Sequence, residues 1–103
     1  MEVIDFGAAP SLMSQYLAEM RDIDIHADPL RFRRNLERTG EIMAYEISKR
    51  LHYRTQDITT PLATAKCPVL DEPVVLATIF RAGVPFHQGF LNFFDRAENA
   101  FVS

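Results

Sequence analysis

Apolar residues recur at helical spacing in two stretches of the first half of the chain. Ser11 suits the N-cap of the first stretch, which we expect to end near Arg21. Asp28 and Pro29 supply an N-cap acid and a proline in the first helical turn, the start signal of a longer helix. Its apolar positions keep close to the 3.6-residue period: Phe32, Leu36, Met43, Ile47 and Leu51. The pattern predicts a helical region over residues 1–52, interrupted at 22–25 by a polar/apolar alternation.

One glycine, Gly40, falls inside the longer helical pattern. Glycine costs about 1 kcal/mol relative to alanine at such a position. We therefore expect close packing or a local bend there.

Residues 53–73 change to threonines, prolines and alternating side chains. This pattern predicts a strand near 57–60, a turn at Pro61-Leu62 and a second strand near 64–70. The segment is interpreted as an irregular hairpin, or β arm.

The last segment, residues 74–103, begins with a nearly continuous apolar run from Val74 to Phe80. Such a run is typical of a strand buried on both faces of a parallel sheet. A short helix follows, with Pro85 in its first turn and four phenylalanines expected in the core: Phe86, Phe90, Phe93 and Phe94. After a polar turn at 95–99, Ala100 opens another strand. The segment predicts a βαβ unit and therefore an α/β fold.

Composition excludes several classes of function. The 103 residues carry a formal net charge of -3, which argues against a nucleic-acid surface. No apolar run approaches the ~20 residues that span a bilayer, and the first residues lack the pattern of a signal peptide. The single cysteine, Cys67, fits a reducing compartment, so we expect a cytoplasmic protein without membrane association. The histidines His26, His52 and His87 have no metal-ligand spacing, and we expect no metal site.

Arg81, Ala82 and Gly83 form the turn where chemistry is most strongly indicated. Parallel sheets bind ligands at the carboxyl ends of their strands, and this turn follows such an end. It also precedes a helix whose first amides are unpaired and whose dipole is positive there. Glycine permits close backbone approach and arginine donates bidentate hydrogen bonds, so the turn predicts an anion site.

The order of motifs around this turn resembles the uracil phosphoribosyltransferase family. The resemblance covers nearly the whole chain, from about residue 10 to the end. In the helical region the resemblance rests on Phe-Arg-Arg-Asn-Leu at 32–36 and Gly-Glu-Ile-Met-Ala-Tyr-Glu at 40–46. In the β arm it rests on the segment 60–66, which begins Thr-Pro-Leu. In the last segment it rests on Ile-Phe-Arg-Ala-Gly-Val at 79–84, Gln-Gly-Phe-Leu at 88–91 and Ala-Glu-Asn-Ala at 97–100. Each motif is short, and their joint order and spacing make the match specific.

The resemblance implies that residues 1–103 are the N-terminal part of a single type I phosphoribosyltransferase domain. It implies transfer of phosphoribosyl from phosphoribosyl pyrophosphate (PRPP) to uracil, giving UMP and pyrophosphate, with Mg²⁺ bound alongside PRPP. It assigns the pyrophosphate of PRPP to Arg81, Ala82 and Gly83, and it implies a homodimer or larger homo-oligomer. The family's ribose-phosphate loop and uracil pocket have no counterpart here. We therefore expect a truncated chain, inactive alone, with those parts beyond Ser103.

Two other interpretations stay open. The same fold could serve a pyrimidine-operon regulator, although the basic excess of an RNA-binding protein is absent, or the chain could be a small α+β module that dimerises without catalysis. A basic helix start at Arg31, Arg33 and Arg34 could hold a nucleotide effector such as GTP, which activates some family members. A solvated face interleaved with Glu37 and Glu41 is the alternative for that cluster.

Overall fold

The computed structural model describes residues 3–26, 28–79 and 83–102. Four helices and four strands occur in these ranges. The helices are α1 (Leu12–Arg21), α2 (Ile23–His26), α3 (Pro29–Ser48) and α4 (Val84–Phe93). The strands are β1 (Tyr53–Thr59), β2 (Thr64–Leu70), β3 (Val75–Ile79) and β4 (Glu98–Val102). The predicted α/β class is confirmed.

Helix α1 begins and ends where its caps require. The Ser11 hydroxyl accepts from the Met13 amide at 3.0 Å, and the Ser14 hydroxyl accepts from the Ser11 amide at 2.9 Å. These reciprocal bonds satisfy amides that have no partner inside the helix. The predicted N-cap at Ser11 and the end near Arg21 are both confirmed.

The interruption of the helical region expected at 22–25 is wrong beyond Asp22, because α2 occupies residues Ile23–His26. The Asp22 carboxylate accepts from the Asp24 amide at 2.8 Å, so a local side-chain cap starts a helical turn that hydrophobic spacing does not reveal.

Helix α3 starts as predicted but ends earlier. Asp28 accepts from the amides of Leu30 and Arg31 at 3.1 and 3.2 Å, and Pro29 stands at the first helical position. Beyond Ser48 the chain tightens, and the Arg50 amide donates to the Ile47 carbonyl at 2.9 Å. This shorter hydrogen-bond step ends the regular helix before Leu51.

The β arm is longer than predicted. Strands β1 and β2 pair antiparallel from Tyr53↔Leu70 to Thr59↔Thr64, so the first strand begins four residues before the expected start. The turn at Pro61-Leu62 is confirmed, and the Thr60 hydroxyl accepts from the Ala63 amide at 3.1 Å and donates to the Ala63 carbonyl at 2.6 Å. Within the described ranges the arm touches the rest of the chain mainly at its base, where the Tyr53 hydroxyl donates to the Ser48 carbonyl at 2.7 Å.

Strands β3 and β4 pair in parallel, and α4 connects them as in the predicted βαβ unit. Three expectations about this unit need correction. Within the described residues, strand β3 is not covered on both faces, since Val75 is 61% exposed while Leu76 is half-buried. The core role of the phenylalanines holds only in part. Phe86 and Phe90 meet edge to face at 5.2 Å, but Phe93 is 51% exposed. The turn expected at 95–99 is also shorter, because β4 already begins at Glu98.

The core lies where α3 packs against α4 on one side and α1 on the other. Met13 and Ala44 are buried there, together with the polar side chains of Asn35 and Thr39. None of the helices in the described ranges has the length and apolar character that crossing a bilayer requires.

Candidate functional site

The candidate anion site lies where β3 ends and α4 begins. The parallel register runs from Val75↔Glu98 to Ile79↔Val102, so both strands present their carboxyl ends at one edge. Gly83 is the N-cap of α4 and follows that edge. Phe80 and two of the predicted site residues, Arg81 and Ala82, lie outside the described residues. Of the predicted turn, the structure therefore describes Gly83.

Gly83 has an ordinary right-handed backbone, with φ -76° and ψ -9°. Conformational strain therefore does not explain a glycine here. What the residue contributes is the missing side chain, which leaves the backbone open to close approach by a ligand.

The amino end of α4 has the electrostatics of an anion site. Its first turn carries no acidic residue, and no side chain among the described residues caps it. The amides of Val84 and Phe86 belong to the helical positions that have no intrahelical acceptor, and the helix dipole is positive at this end. Such an end attracts phosphate oxygens, provided that the helix is held in place.

Helix α3 holds α4 through a close contact between two glycines. A Cβ added to Gly40 would clash with the Phe86 carbonyl oxygen and lie 3.2 Å from the Cα of Gly89. A Cβ added to Gly89 would lie 2.7 Å from the Glu41 amide nitrogen. The prediction of close packing at Gly40 is confirmed, because only glycines allow the two backbones to approach this closely.

A hydrogen bond beyond the glycine contact also joins α3 and α4. The side-chain Nδ2 of Asn92 donates to Oε2 of Glu37 at 3.2 Å. Sequence reasoning missed the matching role of Gly89. A second glycine inside a helical pattern is the signal that could have indicated it.

Helix α4 is also joined to β4. The His87 side chain is only 7% exposed, and its Nε2 lies 2.7 Å from Oδ1 of Asn99. The imidazole ring packs on Phe101 with 5.0 Å between ring centroids. Sequence reasoning placed Asn99 in a turn and therefore missed this contact. The only signal in the sequence is that α4 and β4, both rich in apolar residues, each contain one of the two polar side chains.

The arginines at the start of α3 are all exposed, and two of them contact side chains of α1. Arg31 Nε donates to the buried Glu19 of α1 at 2.5 Å, and Arg38 lies over the Tyr16 ring, 5.3 Å from its centroid. Arg33 and Arg34 are exposed. The nucleotide-effector role of Arg31, Arg33 and Arg34 stays a prediction, and Arg31 would have to leave Glu19 to serve it.

The Glu19 carboxylate is the most strongly perturbed titratable group in the described ranges. Hydrogen bonds from Arg31 and then Gln15 lower its pKa from 4.5 to about 2, and burial only partly opposes them. The same bond raises the pKa of Arg31. The pair therefore fixes α1 on α3 while Glu19 is ionised.

Within 3–26, 28–79 and 83–102, no three histidine, cysteine, aspartate or glutamate side chains converge as metal ligands do. Cys67 is a half-buried free thiol on β2. The described residues thus offer a helix end with the electrostatics of an anion site and no metal cage of their own.

Comparison with known proteins shows which family the chain resembles. Residues 9–102 match the family model described as uracil phosphoribosyltransferase. The chain is 60% identical over 103 residues to the uracil phosphoribosyltransferase of Porphyromonas gingivalis, covering 100% of this chain and 48% of that protein. It is 33% identical to the one of Pyrococcus furiosus, covering 98% of this chain and 43% of that protein.

A solved structure has the same fold. The AQ2163 protein from Aquifex aeolicus superimposes with a TM-score of 0.78 at 23% identity, over 90% of this chain and 44% of that one. The chain spans about half the length of the curated relatives it matches.

Proposed function

Since this chain belongs to the uracil phosphoribosyltransferase family, we propose that the full-length protein transfers phosphoribosyl from PRPP to uracil. The products are UMP and pyrophosphate. The single observation that carries the proposal is the helix end at Gly83, which follows the carboxyl edge of the parallel strands in a chain of this family.

The chain's part in the reaction is to bind the pyrophosphate of PRPP. As the bond between the ribose carbon and the pyrophosphate oxygen breaks, negative charge grows on the leaving group. Donors already fixed in place stabilise that charge without reorganising. The amides at the start of α4 are such donors, and the family resemblance adds the guanidinium of Arg81 and the backbone of Ala82.

Magnesium is proposed as the ion that accompanies PRPP. The side chains in the described ranges do not form a cage for it. Mg²⁺ is commonly held by a few carboxylates together with substrate phosphates.

The activity is tested by incubating the full-length protein with PRPP and each of two bases, uracil and cytosine. We expect equal amounts of UMP and pyrophosphate with uracil and little release with cytosine. Release that does not depend on uracil would contradict the proposed substrate.

We also propose that the protein is a homodimer whose interface includes the β arm. A two-stranded ribbon is marginally stable alone, and this one exposes Leu62 by 97% at its tip. Covering such a ribbon with a second copy would bury its apolar side chains.

Light scattering of the full-length protein tests the interface. We expect a dimer mass for the wild type, a lower mass for Leu62→Glu, and an unchanged mass for Ile23→Glu, where an apolar residue that is 86% exposed lies on α2. A dimer that tolerates Leu62→Glu would remove the arm tip from the interface.

Two finer properties complete the proposal. A cytoplasmic location is consistent with the lone free thiol of Cys67.

A GTP effector site at Arg33 and Arg34, with Arg31 beside them, is supported by the exposure of the first two side chains. GTP titration of the rate, repeated with Arg33→Ala, tests that site, and a rate insensitive to GTP would contradict it.

A further inference from the structure

His87 is a buried polar residue on α4, a helix rich in apolar side chains. It lies in the first turns of α4 and is 7% exposed. A buried imidazole needs hydrogen-bond partners, because an unsatisfied polar group inside a protein is costly. The direction of its hydrogen bond therefore shows which part of the fold it fixes.

The partner of His87 is oriented by a bond of its own. Nδ2 of Asn99 donates to the Ala97 carbonyl at 3.3 Å, which turns Oδ1 of Asn99 toward His87. An amide oxygen can only accept, so His87 Nε2 is the donor of the 2.7 Å bond.

The same residue is joined to the candidate anion site. The His87 amide donates to the Gly83 carbonyl at 2.8 Å, closing the first turn of α4. The backbone of His87 is thus bonded to Gly83, and its side chain is bonded to Asn99 on β4. The ring contact with Phe101 adds packing on the same strand.

We propose that His87 is a positioning residue, which holds the amino end of α4 at the carboxyl edge of the sheet through Asn99. The inference rests on the proposed function, since it assumes that PRPP binds at this end. The glycine contact fixes α4 against α3, while the His87–Asn99 bond fixes it against the sheet. Both are needed to define where the first amides point.

The test is the dissociation constant of PRPP, measured by calorimetry on the full-length protein with Mg²⁺. His87→Leu keeps an apolar filling but loses the donor, and we expect binding to weaken roughly tenfold, since small misplacements of binding groups have effects of at least this size. His87→Gln keeps an amide donor near the position of Nε2 and should restore affinity to within a few-fold. Asn92→Ala is the matched control, because it removes a different hydrogen bond of α4, the one to Glu37.

A role in stability alone would lower the melting temperature of His87→Leu and leave the PRPP dissociation constant of the folded protein unchanged. That result would overturn the inference, as would equal weakening in Asn92→Ala. Assaying UMP formation by the wild type keeps the two proposals distinguishable. If the wild type binds PRPP but does not form UMP from uracil, the proposed transfer to uracil is refuted, whereas the proposed positioning role of His87 is not. A wild type that does not bind PRPP refutes both.

Discussion

Replacing Gly89 by alanine probes the contact that sets the distance between α3 and α4. The added Cβ would lie 2.7 Å from the Glu41 amide nitrogen and 2.9 Å from the carbonyl carbon of Gly40, and nearer still to the Glu37 carbonyl oxygen. All three atoms belong to the backbone of α3, so no side-chain rotation relieves the clash. The two helices must separate.

Two opposing effects set the size of the change. Overpacking a well-packed site costs about 1–3 kcal/mol, and a clash with backbone belongs at the upper end. Alanine in a helix interior is favoured over glycine by about 1 kcal/mol. The net expectation for Gly89→Ala is a loss of about 2 kcal/mol in the free energy of unfolding.

Urea denaturation of the full-length protein at fixed protein concentration measures this loss. Gly7→Ala is the control, because its Cβ would meet only side-chain atoms, Asp5 Oδ1 at 3.3 Å and Leu17 Cδ1 at 3.5 Å. It should change stability by less than about 0.5 kcal/mol. Equal or greater stability of Gly89→Ala would refute the reasoning, since helix propensity would then outweigh the interhelical contact.

The remaining predictions concern α1. Ser11→Ala removes the capping hydroxyl and should destabilise the protein by about 1 kcal/mol, measured by urea denaturation, whereas no change would show that the cap is dispensable. Because the folded pKa of Glu19 is depressed to about 2 from 4.5, its stabilising effect is present above pH 4.5 and is lost as the pH falls toward 2. The stability difference between wild type and Glu19→Gln should therefore shrink from pH 7 to pH 3. A constant difference would contradict the role of its charge.

The elements that follow from local chemistry could be predicted from the sequence. Ser11, Asp28 and Pro29 specify helix starts through bonds to nearby amides, and the structure confirms them. Gly40 stood out because it weakens a helix, and the close approach to α4 supplies the reason.

What could not be predicted depends on neighbours distant in sequence. The apolar run of β3 indicated burial on both faces, whereas in the described ranges α4 covers one face and Val75 is exposed. The bond from Nε2 of His87 to Asn99 arises only when β4 lies beside β3. A residue pattern along the chain carries information about its own element and not about such pairings.

Only part of the candidate site could be predicted from the sequence. The sequence indicated the turn between β3 and α4, and the structure places Gly83 at the N-cap beyond the sheet edge. The roles of Arg81 and Ala82 come from the resemblance and stay predictions. Gly89 and His87, which hold the helix, became evident from packing alone.

The most direct test of the central claim is the kcat/KM for PRPP of Arg81→Ala, measured by uracil-dependent pyrophosphate release from the full-length protein. Removing one charge-assisted hydrogen-bond donor costs about 1.5–3 kcal/mol, so we expect kcat/KM for PRPP to fall about 10- to 160-fold. Arg21→Ala, at an exposed arginine in the last turn of α1, should leave it unchanged. If Arg81→Ala and Arg21→Ala both behave as the wild type, Arg81 is only a turn residue and does not bind the pyrophosphate.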